Sequence, residues 1–440
     1  MIRNLTLSVL AASVLIGGFA VDKATAAEET IFIPGLVYRT GPYAPGGIPS
    51  ANGLSDYFNL INQRDGGANG VKLVFEECET GYNTKVGVEC YEKFKSKKPI
   101  VVIPYSTGIT YQLIPKTPID KIPVFSMGYG RTSAADGRVF KWVFNFPTTY
   151  WSQASAIINY IGSQEGGIPN LKGKKIAHIY HNSAYGKEAN PTLEVLSKKL
   201  GYKLKLLAVD HPGQEQKATW LQIRRWKPDY IFLSGWGVMN QVALKEASGI
   251  GFPMDHFIGN WWSGTEVDMG PVGAGGHGYK AATFHPPGGK SKLHDDIRKY
   301  VYGKGLGAGK VERIGEVLYN RAMLNAVFVV EAIRAAQKKF GVKVTTGEQV
   351  RWGLENTHFT EAKWAKLGLK GYPEIKVSCE DHEGGHPVLI QQWDAKAKTW
   401  NIASGWNPVM KDIIRPMIEA DAAKFAKENN ITPRDCSKED

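Results

Sequence analysis

The chain has 440 residues, 43% of them hydrophobic and 22% charged, with 54 Lys and Arg against 42 Asp and Glu for a formal net charge of +12. That balance excludes a disordered or collagen-like polymer and suffices for two ordinary domains with buried cores. The basic residues are scattered, with no run longer than KSKK at Lys95 to Lys98, so the clustered basic face that nucleic-acid binding requires is missing.

The first segment, 1–26, reads as a cleaved export signal. Arg3 supplies a positive start, Leu5 to Val21 an apolar run, and Ala24, Thr25 and Ala26 the small residues of an A-x-A cleavage site. The run is short for a membrane anchor, Asp22 and Lys23 follow it, and no Cys stands at the cleavage point to take a lipid. The remaining protein is expected to be soluble in an exported compartment.

From Thr30 onward, short β-branched runs alternate with longer amphipathic ones, the pattern of parallel sheets with crossover helices. IFIPGLV, VKLVFEE, IVVIPY and IPVFSM read as strands, with helices at Leu54 to Gln63 and Asn83 to Phe94. A second series follows TTYW at Thr148 to Trp151. It runs as a helix to Ile161, KIAHIYH, a helix from Glu188 to Leu200, KLKLLAV, a helix over Gln216 to Arg225, DYIFLSG, a helix from Asn240 to Ala247, and HFIGNWW. Glu316 to Lys338 makes a long helix with Leu318, Met323, Val327 and Val330 on its apolar side; two covered sheets need helices on both faces, so it is expected to return to the first lobe.

Four cysteines in an oxidising compartment point to disulfides more than to metal ligands. Of the three possible pairings, the local one joins Cys78 to Cys90 and Cys379 to Cys436. It is favoured because short loops close easily, and it would tie the C-terminal tail to the body.

In open parallel sheets, ligands sit outside the carboxyl ends of the strands. Those ends carry Tyr105, Ser106, Thr107, Gly128, Tyr129, Tyr185, Trp236, Asn260, Trp261 and Trp262, a convergence of hydroxyls, glycine amides and aromatic plates. Such a set suits a small molecule with a polar end and a flat or apolar body.

Other motifs fail on context. Gly273, Gly275 and Gly278 match G-x-G-x-x-G, but Pro271 precedes them and a strand-like YKAATF follows, where a dinucleotide site needs a strand and then a helix. PYSTG at Pro104 to Gly108 resembles a nucleophile elbow with Pro in place of its first glycine; a serine hydrolase would need His178 or His181 to face Ser106. Asp381, His382, Glu383 and His386 could bind a metal, but they read first as a hairpin turn between IKVS and VLIQQW. No cofactor is expected.

TGPYAP at Thr40 to Pro45, PYSTGIT at Pro104 to Thr110 and HNSAYG at His181 to Gly186 stand in order along the chain. With them the sequence resembles the leucine/isoleucine/valine-type solute-binding proteins of ABC importers, the type I periplasmic binding proteins, over essentially its whole mature length. The resemblance implies an α/β protein of two doubly wound parallel-sheet lobes, 27–147 plus 285–370 and 148–284 plus 371–440. Three crossovers, near Asn145 to Thr148, Phe284 to Pro287 and Lys370 to Lys376, would form the hinge. It also implies a periplasmic, monomeric, non-enzymatic protein that closes on a small ligand and delivers it to permease subunits, with no stable membrane insertion.

By the same resemblance, Ser106 and Thr107 hold a ligand carboxylate with backbone help from Gly128, while Tyr185 and Trp236 line the pocket. Three departures bear on the ligand. Asn260, Trp261 and Trp262 stand where amino-acid-binding members place an acid for the ammonium; Gly130 replaces a hydroxyl residue, and Gly46 an aromatic one. A buried ammonium without a carboxylate is costly. The expectation is therefore a wide, aromatic pocket for an aromatic or apolar ligand with one carboxylate or amide, stacked on Trp236, Trp261 or Tyr185. The alternatives are a branched-chain amino acid reached by Glu266 or Asp268, a quaternary ammonium in an aromatic cage, and a sensory domain of the same fold.

Overall fold

The computed structural model describes residues 29–439 together with Met1. The rest of the expected signal peptide, 1–26, lies outside the described residues.

Two sheets organise the chain. In the first, β1 (Thr30–Val37) pairs in parallel with β2 (Lys72–Glu79), Thr30 opposite Lys72 and Val37 opposite Glu79. The expected strand IVVIPY runs alongside as an extended segment, joined by parallel bridges from Ile103 to Gly35 and from Val102 to Val124. Two short strands complete that sheet, β3 (Val124–Phe125) and β4 (Val143–Phe144), again parallel.

The second sheet holds five parallel strands, β5 (Lys175–His181), β6 (Lys203–Val209), β7 (Tyr230–Ser234), β8 (Phe257–Gly259) and β9 (Lys280–Thr283). After a small antiparallel pair, β10 (His358–Phe359) with β11 (Ile375–Lys376), the chain adds β12 (Leu389–Asp394) and β13 (Thr399–Ile402) to it. The order is β13-β12-β9-β8-β7-β5-β6, and β12 runs antiparallel to both neighbours, so this sheet is mixed. The chain passes from the first sheet to helix Tyr150–Gln164, back after β9, and across again between β11 and β12. The expected hairpin at 381–386 is therefore a crossover: the strands that flank it pair with different partners. Its side chains bind separately, His382 to the Val143 carbonyl and Glu355, and Glu383 to the amide and hydroxyl of Thr149.

Helix Ala44–Asp65 begins ten residues before the expected start at Leu54. Gly46, Gly47, Pro49 and Gly53 look like loop residues, yet Pro45 suits a first turn and the glycines answer to packing. A Cβ on Gly53 would lie 2.3 Å from the Tyr319 carbonyl oxygen, so its absence lets this helix press against helix Val317–Phe340. That long helix packs on the first-sheet side, as its apolar face predicts.

Both expected disulfides, Cys78–Cys90 and Cys379–Cys436, are present. Of the stretch 371–440, assigned by expectation to the second lobe, β12 and β13 join the second sheet. Helix Lys411–Glu428 packs on helix Tyr150–Gln164, and it and the tail also bind residues on the first-sheet side: Asp421 accepts hydrogen bonds from Arg131 and Ser133, Phe425 stacks on Phe140 at 4.8 Å, and Arg434 pairs with Glu355. No helix among the described residues is long and apolar enough to cross a membrane.

Candidate functional site

The carboxyl ends of the two sheets face each other across a closed cleft. Between them lies a tight chamber of about 20 Å³, walled by six tyrosines (38, 82, 105, 129, 150 and 185), Trp236, Trp262, Ser106 and Thr107. The rings meet edge to face: Trp262 lies 5.7 Å from Trp236, 5.8 Å from Tyr105 and 5.9 Å from Tyr129, at angles of 70–82°. Such geometry suits aromatic quadrupoles and makes a rigid apolar wall. Burial pushes the phenols of Tyr38, Tyr105, Tyr129, Tyr150 and Tyr185 well above their ordinary range, so each is a neutral hydroxyl.

The polar atoms of the chamber are mostly donors. Ser106 caps helix Thr107–Leu113, its oxygen accepting from the Ile109 amide at 3.4 Å, and the Thr107 hydroxyl oxygen accepts from the Gly130 amide at 3.2 Å. The Thr107 hydroxyl also lies 3.5 Å from that of Tyr150, and both side chains border the chamber. The Tyr129 hydroxyl and the indole N–H groups of Trp236 and Trp262 are buried with no hydrogen-bond partner among the described residues. Among the described residues no carboxylate lines the chamber.

Of the expected ligand-binding residues, Ser106, Thr107, Tyr129, Tyr185 and Trp236 line this space. Three do not. Asn260 stands behind Tyr185, its amide 2.8 Å from the Tyr185 hydroxyl, and so holds that ring in place. Trp261 is fully buried against Tyr150 and Phe284, and it is Trp262 that reaches the chamber. The Gly128 amide donates to the Asn145 carbonyl at 3.2 Å and is spent there. A strand end shows only that its residues cluster; which of two adjacent tryptophans turns inward is decided by how the following loop bends.

The two glycines expected to widen the pocket do not. The Trp236 indole fills the space above Gly46, where a Cβ would lie 2.4 Å from the ring, and Thr110 and Ser126 crowd Gly130, whose φ is +89°. The chamber is aromatic, as expected, but narrow.

Sequence reasoning missed Tyr38, Tyr82 and Tyr150 as ligand-facing residues, although Tyr38 directly follows β1 and Tyr150 lies in the TTYW segment, and it placed Tyr105 at a strand end without giving it a ligand role. It also missed Arg321. This residue is fully buried, its guanidinium 4.8 Å from the Phe284 ring and 5.0 Å from that of Trp262. Nη2 donates to the Thr283 hydroxyl at 3.3 Å, while Nε and Nη1 have no partner. Burial pulls the guanidinium down to about 9. The signal was available, since Arg321 is the one charged residue between Val317 and Val330.

The histidines that a hydrolase would need are committed elsewhere. His178 bridges Asn190 and Ser234, and burial lowers it to about 3. His181 is hydrogen-bonded to the Tyr43 hydroxyl and to the Ser183 hydroxyl, each at 2.8 Å; burial, then the neighbouring His211, lowers it to about 4. Neither meets Ser106.

Several bonds hold the cleft shut. Besides Tyr43–His181, Glu188 accepts from Tyr111 and from the Thr132 amide, and Glu266 accepts from the Val317 amide at 3.0 Å, capping helix Val317–Phe340. Outside the chamber lies a vestibule bordered by Asn83, Thr84, Gln112, His181 and His211, sharing Tyr82, Ser106 and Tyr185 with it.

Two mixed or parallel α/β sheets, joined by three crossovers and closed over a chamber at their carboxyl ends, define a solute-capturing protein of the type I periplasmic binding fold. The chain belongs to the periplasmic binding protein family, whose model matches residues 30–398. Among solved structures, it is 42% identical to one described as an ABC transporter permease from the Pseudomonas fluorescens group, covering 93% of this chain and all of that one with a TM-score of 0.86. A Thermus thermophilus branched-chain amino acid ABC transporter protein with bound valine is 22% identical, covering 87% and 97% at TM-score 0.74. A solute-binding protein from R. palustris in complex with benzoate is 14% identical, covering 87% and 97% at TM-score 0.67. Comparison with curated protein sequences returns no match.

Proposed function

We propose that this protein is the periplasmic solute-binding component of an ABC importer. In this reading it takes up a small, flat or apolar ligand bearing one carboxylate and hands it to the permease subunits as a monomer. The observation that carries the reading is the closed aromatic chamber with donors and no acidic side chain. Ser106 and Thr107 offer hydroxyl protons to the carboxylate, and Tyr185, Trp236 and Trp262 sandwich the body. The hinge runs through the three crossovers, and closure forms the Tyr43–His181 and Glu266–Val317 bonds.

Solute-binding proteins of this fold hold benzoate in one case and valine in another, so the fold leaves the choice to the chamber. A free amino acid needs an acid for its ammonium. Glu266 is engaged with Val317 and Asp268 with Asn240, which disfavours that alternative. A thermal-shift panel of the mature protein against benzoates, cinnamates, short amides, leucine and valine tests the reading, because a ligand of the native form raises Tm by mass action. Shifts with aromatic acids and none with leucine or valine are expected; shifts confined to the amino acids would overturn the ligand class.

A further inference from the structure

An aromatic box by itself suits a cation, since ring faces carry negative potential. Here one such face is already taken. The Arg321 guanidinium lies 5.0 Å from the centre of the Trp262 ring, and Trp262 is a wall of the chamber. Its other aromatic neighbour, Phe284, packs against Trp261 rather than lining the chamber.

The charge is uncompensated. Among the described residues no carboxylate forms an ion pair with Arg321, and two of its three nitrogens lack any acceptor. The carboxyl of Glu266 is within electrostatic reach but bonds to the Val317 amide. His285, on the other side, is held neutral by burial first and then by this arginine. Leaving a buried guanidinium unpaired is costly, and an anion nearby would offset much of that cost. Arg321 also feels Tyr105, Tyr150 and Tyr185, three residues that face the chamber.

We propose that Arg321 is the charge-selecting residue of the chamber: from behind Trp262 it favours a monoanionic ligand over a neutral isostere and rejects a quaternary ammonium of the same shape. This rests on the chamber being the ligand site. It is a positioning and selectivity role, since Trp262 stands between Arg321 and the ligand. A unit charge several ångströms away in a site of effective dielectric near 20 is worth a preference of about tenfold or more.

The test uses matched pairs, benzoate with benzamide and isovalerate with isovaleramide, plus phenyltrimethylammonium, titrated calorimetrically into the mature protein. The wild type should bind the acid of at least one pair about tenfold more tightly than its amide and should not bind the ammonium. Arg321→Met should bring the acid-to-amide ratio close to one while the amide affinity stays within a few-fold, and Arg321→Lys should restore the acid preference. Arg321→Gln, which can keep the Thr283 bond, takes the place of Met should that variant not fold. Equal losses for acid and amide would reduce Arg321 to a prop for Trp262 and overturn the proposal, as would a wild-type preference for the amide or the ammonium. If no probe binds the wild type, the ligand class proposed for the chamber falls first, and this assignment with it.

Discussion

The indole of Trp236 sits directly over Gly46, so close that a single added carbon on the glycine would lie 2.4 Å from the ring. Gly46 belongs to the first turn of helix Ala44–Asp65, on the first-sheet side, and Trp236 follows β7 of the second sheet. In the hinge closure proposed above, their contact forms as the cleft shuts. Gly46→Ala should therefore leave the open form intact and weaken ligand binding at least about tenfold, within the range of about 1–3 kcal/mol that overpacking costs. In a Trp236→Ala background the same substitution should have little further effect, because the ring it strikes is gone. Calorimetric affinities of the four proteins measure the coupling; additive losses would show that the two residues do not meet in the binding-competent form.

Ser106 and Thr107 accept hydrogen bonds from the Ile109 and Gly130 amides, and both hydroxyls border the chamber. Hydrogen bonds to a charged group are worth about 1.5–3 kcal/mol each. The double variant Ser106→Ala with Thr107→Ala should lower affinity for a carboxylate ligand at least about tenfold. It should lower affinity for the matching amide less. Unchanged affinity for the acid would remove these hydroxyls from the site.

Much of this arrangement is legible before any coordinates. The alternation of β-branched and amphipathic runs marks fifteen elements, and the strand ends hold a set of residues that includes Ser106, Thr107, Tyr185 and Trp236, which the family resemblance then singles out. What is not legible depends on partners distant in the chain. Helix Ala44–Asp65 contains glycines that local propensity reads as loop, and only their distant neighbours explain them: Trp236 over Gly46, the Tyr38 carbonyl against Gly47 and the Tyr319 carbonyl against Gly53. Trp262 faces inward and Trp261 outward because Asn260 accepts the Trp262 amide and turns the loop there. The 381–386 segment looks like a hairpin because the flanking strands are adjacent in sequence, although they lie in different sheets.

Glu266 gives the cleft a pH dependence. Burial, against the opposing effect of its backbone hydrogen bonds, raises its carboxyl from the ordinary 4.5 to about 7. The raised value means that the closed form holds the proton more tightly than an exposed carboxyl does. Its contribution is full below about 4.5 and is lost as pH rises through about 7. Glu266→Gln keeps an acceptor for the Val317 amide without a charge. It should gain about 1–3 kcal/mol on wild type between those limits. The buried histidines titrate with the opposite sign, His181 destabilising as pH falls toward about 4, so the difference between the two proteins is the quantity to read. Parallel Tm profiles for wild type and Glu266→Gln from pH 4 to 8 would mean that this carboxyl is not buried in the closed form.

The C-terminal tail is tied to first-sheet residues by more than its disulfide. Cys436 bonds to Cys379, 57 residues away, and beside it Arg434 joins Glu355, which also binds Arg351 and His382. These partners hold the Glu355 carboxyl at about 2 against its burial. Closing a loop of that length removes about 4 kcal/mol of unfolded-chain entropy in the chain-entropy treatment. Cys379→Ser with Cys436→Ser should therefore lower stability by about 2–4 kcal/mol, while Arg434→Met, leaving Glu355 with fewer partners, should cost about 1–3 kcal/mol with the disulfide intact. Denaturant titrations of the two variants and their combination check this. The losses should fall short of additive, because an untethered tail no longer holds Arg434 against Glu355; full additivity would mean that the ion pair orders the tail without help from the disulfide.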